Sequence, residues 1–108
     1  MDLSFYQLTA IKTAIYPTSN RISYPAMGLA GEVGEVMNKI KKVYRDKNGE
    51  FDKDTKQDIA SEIGDVLWYL AVLSQDLGQS LEDIAANNLK KLRERQERGT
   101  LGGSGDKR

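Results

Sequence analysis

Apolar residues recur at three- and four-residue intervals along four stretches of the chain, a period that predicts four helices. Leu8, Ile11 and Ile15 mark the first, over residues 4–15. It closes at Tyr16-Pro17, because the residue before a proline avoids helical geometry. A polar connection, TSNRIS, follows. The second helix is expected over residues 24–45, with Ser23 as its N-cap and Pro25 in its first turn. Its apolar stripe is Leu29, Val33, Val36, Ile40 and Val43. The turn-rich segment DKNGEFDKD bends at Asn48-Gly49 and leads to a third helix. Asp52 or Asp54 caps that helix, which runs to about residue 77 along Ile59, Ile63, Val66, Leu70, Leu73 and Leu77. Gly78 stands where a helix-closing glycine belongs. Ser80, followed by Glu82 and Asp83, starts a fourth helix through Leu81, Ile84, Leu89 and Leu92 to about residue 98. Short connections between helices argue for an all-α four-helix bundle over residues 1–98. The glycine-rich tail, residues 99–108, is expected to lack regular structure. One copy has little to bury, so the bundle is expected to be a dimer or tetramer.

Within the second and third helices the chain repeats itself. LAGEVGEVM (29–37) and IASEIGDVL (59–67) share Ala30/Ala60, Glu32/Glu62, Gly34/Gly64 and Val36/Val66, and the remaining five pairs are chemically close. Residues three apart share a helix face, so Glu32 and Glu35 point one way, as do Glu62 and Asp65. Each pair falls beside its apolar stripe, at the rim of the expected core. An antiparallel hairpin would bring the two pairs together at mid-length. Lys39 and Lys42 continue the Glu32/Glu35 row. Gly28, Gly31, Gly34 and Gly64 each cost about 1 kcal/mol in a helix relative to Ala, which predicts close backbone approach at these positions.

Composition narrows the chemistry. The chain has 108 residues, enough for one domain, and its 16 basic and 16 acidic residues cancel, so no overall field draws it to nucleic acid or membrane. It has no Cys and no His, which removes disulfides, thiolate sites, His-based triads and nearly every zinc site. No signal peptide or spanning apolar run is present, so the expected compartment is the cytoplasm. Charge is nonetheless segregated: residues 46–65 carry seven acids and three bases, residues 90–108 seven bases and three acids.

Four converging carboxylates repel unless a cation sits among them, and an oxygen-only donor set selects a hard ion, Mg²⁺ or Mn²⁺. Mg²⁺ held by carboxylates serves phosphate substrates, which require a basic partner. Asn88, Lys91 and Arg95 recur on one face of the fourth helix and supply it.

These residues resemble a known family. G-L-A-G-E-V-G-E-V, S-E-I-G-D-V and N-x-x-K-L-x-x-R are similar to the MazG-like nucleotide pyrophosphohydrolases of the all-α NTP pyrophosphatase superfamily. The family's E-x-x-E and E-x-x-D signature is met at Glu32, Glu35, Glu62 and Asp65, with 26 residues between the halves. The resemblance runs from A-I-Y-P at residues 14–17 to the closing G-S-G-D-K-R. It implies Mg²⁺-dependent cleavage of an NTP or dNTP between the α and β phosphates, giving a monophosphate and pyrophosphate, in nucleotide-pool house-cleaning. It implies that Glu32, Glu35, Glu62 and Asp65 are the metal ligands and catalytic carboxylates. Lys91 and Arg95 become phosphate contacts and Asn88 a further polar contact. Lys39 and Lys42 could reach the phosphates or pair with nearby acids.

The base pocket is open at this point. Tyr6, Gln7, Tyr24, Trp68 and Tyr69 are the candidates; Trp68 and Tyr69 are adjacent and are not expected to share one pocket. The alternative to an enzyme is a non-catalytic helical nucleotide-binding or interaction module on the same fold. A di-iron carboxylate bundle would need Glu-x-x-His pairs, which a chain without His cannot make.

Overall fold

The computed structural model describes residues 1–108, and the chain is all-helical with four α-helices. These are α1 (Leu3–Ala10), α2 (Ser23–Asp46), α3 (Lys53–Asp76) and α4 (Leu81–Arg98), with 3₁₀ turns at Ile11–Thr13 and Thr18–Asn20. Helices α2 and α3 have 24 residues each and pack along one another as the main body of the fold. Helices α1 and α4 pack on α3 and on each other.

The expected start and stop signals account for most boundaries. Asp52 caps α3 by accepting from the Thr55 amide at 2.8 Å, and Ser80 caps α4 by accepting from Asp83 at 3.3 Å. Gly99 takes the left-handed conformation, φ 73°, that ends α4.

One boundary and one cap differ from expectation. Helix α1 stops at Ala10 rather than residue 15, tightening into the 3₁₀ turn, and Ile15 is left 95% exposed. The N-cap of α2 is Ile22, at φ 68° with no side-chain cap bond, while the Ser23 hydroxyl donates backwards to the Asn20 carbonyl. One residue explains both. The Asp76 carboxylate, 7% exposed at the end of α3, accepts from the Tyr16 hydroxyl at 2.6 Å and the Ile22 amide at 3.0 Å, with Arg21 at 3.7 Å. The chain leaves α1 early to deliver Tyr16 there, and Ile22 is drawn into a conformation β-branched residues avoid. Tyr16 also stacks on Tyr24, with ring centroids 4.6 Å apart.

Burial pushes the Asp76 carboxyl up, but the bonds from Tyr16 and Ile22 and the charge of Arg21 outweigh it and hold it below its ordinary value. A lowered carboxyl stabilises the fold above its unfolded pKa, and that support is lost as pH falls through the folded value. Asp76→Asn is therefore expected to cost about 2 kcal/mol at neutral pH and to flatten the acid limb of the stability profile. Urea unfolding at several pH values measures both.

A small interior closes the end of the molecule where α1 and α4 meet α3. Ala10, Ala71 and Leu81 are buried there, with Leu3, Tyr6, Leu67 and Trp68 around them. Gln7 sits within it: its amide donates to the carbonyls of Gln79 and Ala71, and its oxygen accepts from the Leu81 amide. Gln7 is thus a stitch between three helices. The rest of the fold is open. Ten of 108 residues are buried, and the radius of gyration is 16.8 Å, against about 13 Å for a compact chain of this length.

Candidate functional site

The register of the α2–α3 hairpin sets the site. Asn48 (φ 53°) and Gly49 (φ 78°) adopt the left-handed turn conformation, and the Lys47 and Gly49 amides both close onto the Val43 carbonyl. Lys47 then ties the two helices, donating to the Thr55 hydroxyl at 2.6 Å and to Asp52 at 3.2 Å. The Thr55 amide and hydroxyl, with Lys47, hold the Asp52 carboxyl down at about 2.

That register brings Glu32 from α2 against Glu62 and Asp65 from α3, with one carboxylate oxygen of each within 4.8 Å of the others. Glu32 and Glu62 lie in the seam between the helices, half-buried, rather than at its outer rim; Asp65 is exposed. Burial, a hydrogen bond with Glu62 and the charges of Asp65, Glu62 and Glu35 all raise the Glu32 carboxyl. Burial first, and then three neighbouring acids, disfavour the charged form, a pattern that a bound cation would relieve. Lys39, from α2, lies 3.7 Å from Glu62 and offsets part of that charge. Glu35 stands outside the cluster, exposed, and acts on Glu32 only through its field. The donor set is all oxygen and would suit a hard divalent ion held by the three carboxylates.

A cavity of about 380 Å³ opens beside the acids, lined by Thr13, Glu32, Asp65, Trp68 and Tyr69. Trp68 and Tyr69 both reach it, contrary to expectation: they meet edge to face, centroids 4.9 Å apart, so neighbours on one helix frame the same opening. The Trp68 indole donates to the Thr13 hydroxyl at 2.8 Å, which fixes the ring. Burial raises the Tyr69 hydroxyl, as do Tyr24, Glu32 and Asp65; burial and then Asp65 raise that of Tyr6. Thr13 was not among the sequence candidates. It carries no local signal, because only the contact with Trp68, 55 residues away, puts it here.

The glycines divide. A Cβ at Gly28 would lie 2.1 Å from a ring carbon of Tyr69, so this position does require close approach. Gly31, Gly34 and Gly64 have nothing within 4 Å, so within one chain no neighbouring helix approaches them closely.

The basic candidates fall in two further places. Lys39 and Lys42 line a cavity of about 220 Å³ toward the hairpin turn, with Lys47, Thr55, Asp46 and Asp58. Asn88 and Lys91 line another on α4, with Ile84 and Asn87. Lys91 pairs with Asp106 of the tail at 2.7 Å. Arg95, 8% exposed, is turned under the tail and also held by Asp106.

A family model described as the MazG nucleotide pyrophosphohydrolase domain matches residues 24–100. The Gene 37 protein of Mycobacterium phage L5 is 43% identical over 114 aligned residues, covering the whole of both chains. No solved structure matches the chain.

Proposed function

This chain belongs to the MazG nucleotide pyrophosphohydrolase family, and from that premise we propose that it is a Mg²⁺-dependent enzyme cleaving a nucleoside triphosphate between its α and β phosphates. The products are a nucleoside monophosphate and pyrophosphate, and the role is clearance of unwanted nucleotides in the cytoplasm. No helix is long and apolar enough to cross a membrane, which is compatible with that location. The observation that carries the reading is the approach of Glu32, Glu62 and Asp65, one from the first repeat and two from the second, to within 4.8 Å.

Each residue then has a task. Glu32, Glu62 and Asp65 hold the ion, and Glu35 completes the set. When bound, Mg²⁺ neutralises phosphate oxygens and makes a water more acidic. One of the four carboxylates orients or deprotonates the attacking water. Lys39, beside Glu62, offsets part of the repulsion between the carboxylates in the metal-free protein. The substrate lies in the cavity walled by Thr13, Trp68 and Tyr69, where its α phosphate meets the acids. Lys91 and Asn88, which line a separate cavity on α4, are the proposed phosphate contacts.

The same reading includes self-association. Val33, Met37 and Tyr44 on α2, and Ile63 and Leu70 on α3, form stripes at helical spacing and are between 38% and 66% exposed. A second copy of the chain covers them.

The test is a panel of common and modified nucleoside triphosphates incubated with Mg²⁺, with and without a chelator, and products resolved by ion exchange. Pyrophosphate and a monophosphate in equal amounts, absent under chelation, are expected. Release of orthophosphate instead would refute cleavage at the α–β bridge. Binding without turnover of any member would favour the non-catalytic module.

A further inference from the structure

The tail after α4 is built with more bonds than a frayed terminus would have. Gly99 turns the chain back, and the Thr100 amide closes onto the Arg95 carbonyl at 2.8 Å. The terminal Arg108 then gathers the loop from inside. Its guanidinium donates to the carbonyls of Thr100 at 2.9 Å, Gly105 at 2.6 Å and Leu101 at 3.2 Å, and the Arg98 guanidinium donates to the Arg108 carbonyl. A Cβ at Gly103 would lie 2.8 Å from Arg108 Cδ, so glycine lets the two strands of the loop close.

What this loop presents is Asp106. Its carboxylate receives the Lys91 ammonium at 2.7 Å and the Arg95 guanidinium at 3.2 Å, and Arg95 donates to its backbone carbonyl as well. Lys91 and then Arg95 hold its carboxyl below the usual carboxylate range. The two cations are not equivalent. Arg95 is 8% exposed with its Nε buried and without a partner, whereas the Lys91 side chain is 41% exposed at the rim of its cavity. A buried guanidinium needs a counter-charge, and Asp106 is the one it has. The charges of Arg95 and Asp106 therefore cancel, and the positive charge of the triad remains with Lys91. One of its three ammonium protons is used on Asp106, leaving two to donate outward.

We propose that Asp106 is a positioning residue, held by Arg95 and holding Lys91, so that the tail fixes the Lys91 ammonium for a polyphosphate. This rests on the proposed phosphate role of Lys91. It assigns Arg95 to Asp106 rather than to the substrate. A long lysine chain otherwise gives up considerable rotamer freedom when it grips a ligand, and the pair with Asp106, whose own side chain is 76% exposed, reduces that freedom beforehand.

The test uses inorganic tripolyphosphate as the probe and the full-length chain, with binding measured by calorimetry for wild type, Asp106→Asn, Asp106→Glu, Lys91→Ala and the Lys91→Ala/Asp106→Asn double variant. Asp106→Asn is expected to weaken binding about tenfold, and the double variant to bind no worse than Lys91→Ala alone. Asp106→Glu should recover part of the loss, and the thermal midpoint should show that each variant is folded. Tripolyphosphate that fails to bind wild type, losses that multiply in the double variant, or affinity that is unchanged or tighter in Asp106→Asn would each overturn the proposal. The last result would mean that Asp106 competes with phosphate. Because the probe is not a nucleotide, absence of nucleotide hydrolysis with this binding pattern intact would refute only the proposed reaction.

Discussion

We expect Glu32→Gln to abolish pyrophosphate release, a loss on the order of 10³-fold or more, and to raise the unfolding temperature of the metal-free protein. Both follow from the same crowding. Glu32 lies in the seam against Glu62, with Asp65 and Glu35 adding their charge, and its carboxyl is raised in consequence. A raised carboxyl binds its proton more tightly folded than unfolded. In metal-free buffer the wild-type fold therefore gains stability as pH falls from above the folded pKa toward the ordinary carboxylate value, and loses it as pH rises. Glutamine keeps the shape, carries no charge and removes that slope. Adding Mg²⁺ should raise the unfolding temperature of wild type and have little effect on the variant. Asp65→Asn should behave alike in activity, while its exposed position predicts a smaller thermal gain. Pyrophosphate assays and thermal scans over a pH series, with and without metal, give all the comparisons. Unaltered turnover in both variants would remove the metal-site assignment.

Gly28→Ala is the second substitution with a large expected effect. Its Cβ would meet three atoms of the Tyr69 ring at 2.1, 2.4 and 2.7 Å, and the ring belongs to α3 and cannot withdraw without moving off the cavity it lines. Overpacking of this kind costs about 1–3 kcal/mol, or a fall of several degrees in the thermal midpoint for a chain of this size. Gly28 is one helical turn before Glu32, so whatever spreads the helices at Gly28 also draws Glu32 away from Glu62 and Asp65. A weaker apparent Mg²⁺ affinity should therefore accompany the thermal loss. Gly34→Ala is the control: nothing lies within 4 Å of its Cβ position, and Ala there should cost no stability within one chain. Calorimetric metal titration of the two variants separates a change in helix spacing from a general loss of fold.

What could be read from the sequence was whatever local chemistry decides. Asp52 and Ser80 as caps, Asn48-Gly49 as the bend and Gly78 after α3 are all recognisable within a few residues, and α3 and α4 end within a residue of expectation. The start of α2 also fell within a residue of expectation, but the end of α1 and the cap of α2 could not be read this way. They answer to Asp76, whose bond to Tyr16 spans 60 residues, and no periodicity reports such a partner. Ile15 shows the same limit: it stands at perfect helical spacing and is almost wholly exposed. The carboxylates were legible as two look-alike pairs meeting across a hairpin. Which of two acids three apart would enter the seam was not, since both lie on the facing side until the packing angle is set; Glu32 enters and Glu35 does not. The tail read as glycines with charge at Asp106, Lys107 and Arg108 that could close over phosphates; its internal bonding was not legible, because Arg108 acts through backbone carbonyls that have no sequence signature.

The scarcity of interior side chains bears on how the molecule behaves in a test tube. A chain that hides ten of its residues has little hydrophobic free energy of its own to lose. On the proposed pairing, most of what resists unfolding is supplied by the neighbour, and mass action then governs it: dilution becomes a denaturant. The melting temperature should slide downward across about a hundredfold dilution, with ligand-free samples most affected. A melting temperature indifferent to concentration would mean that each chain stands alone.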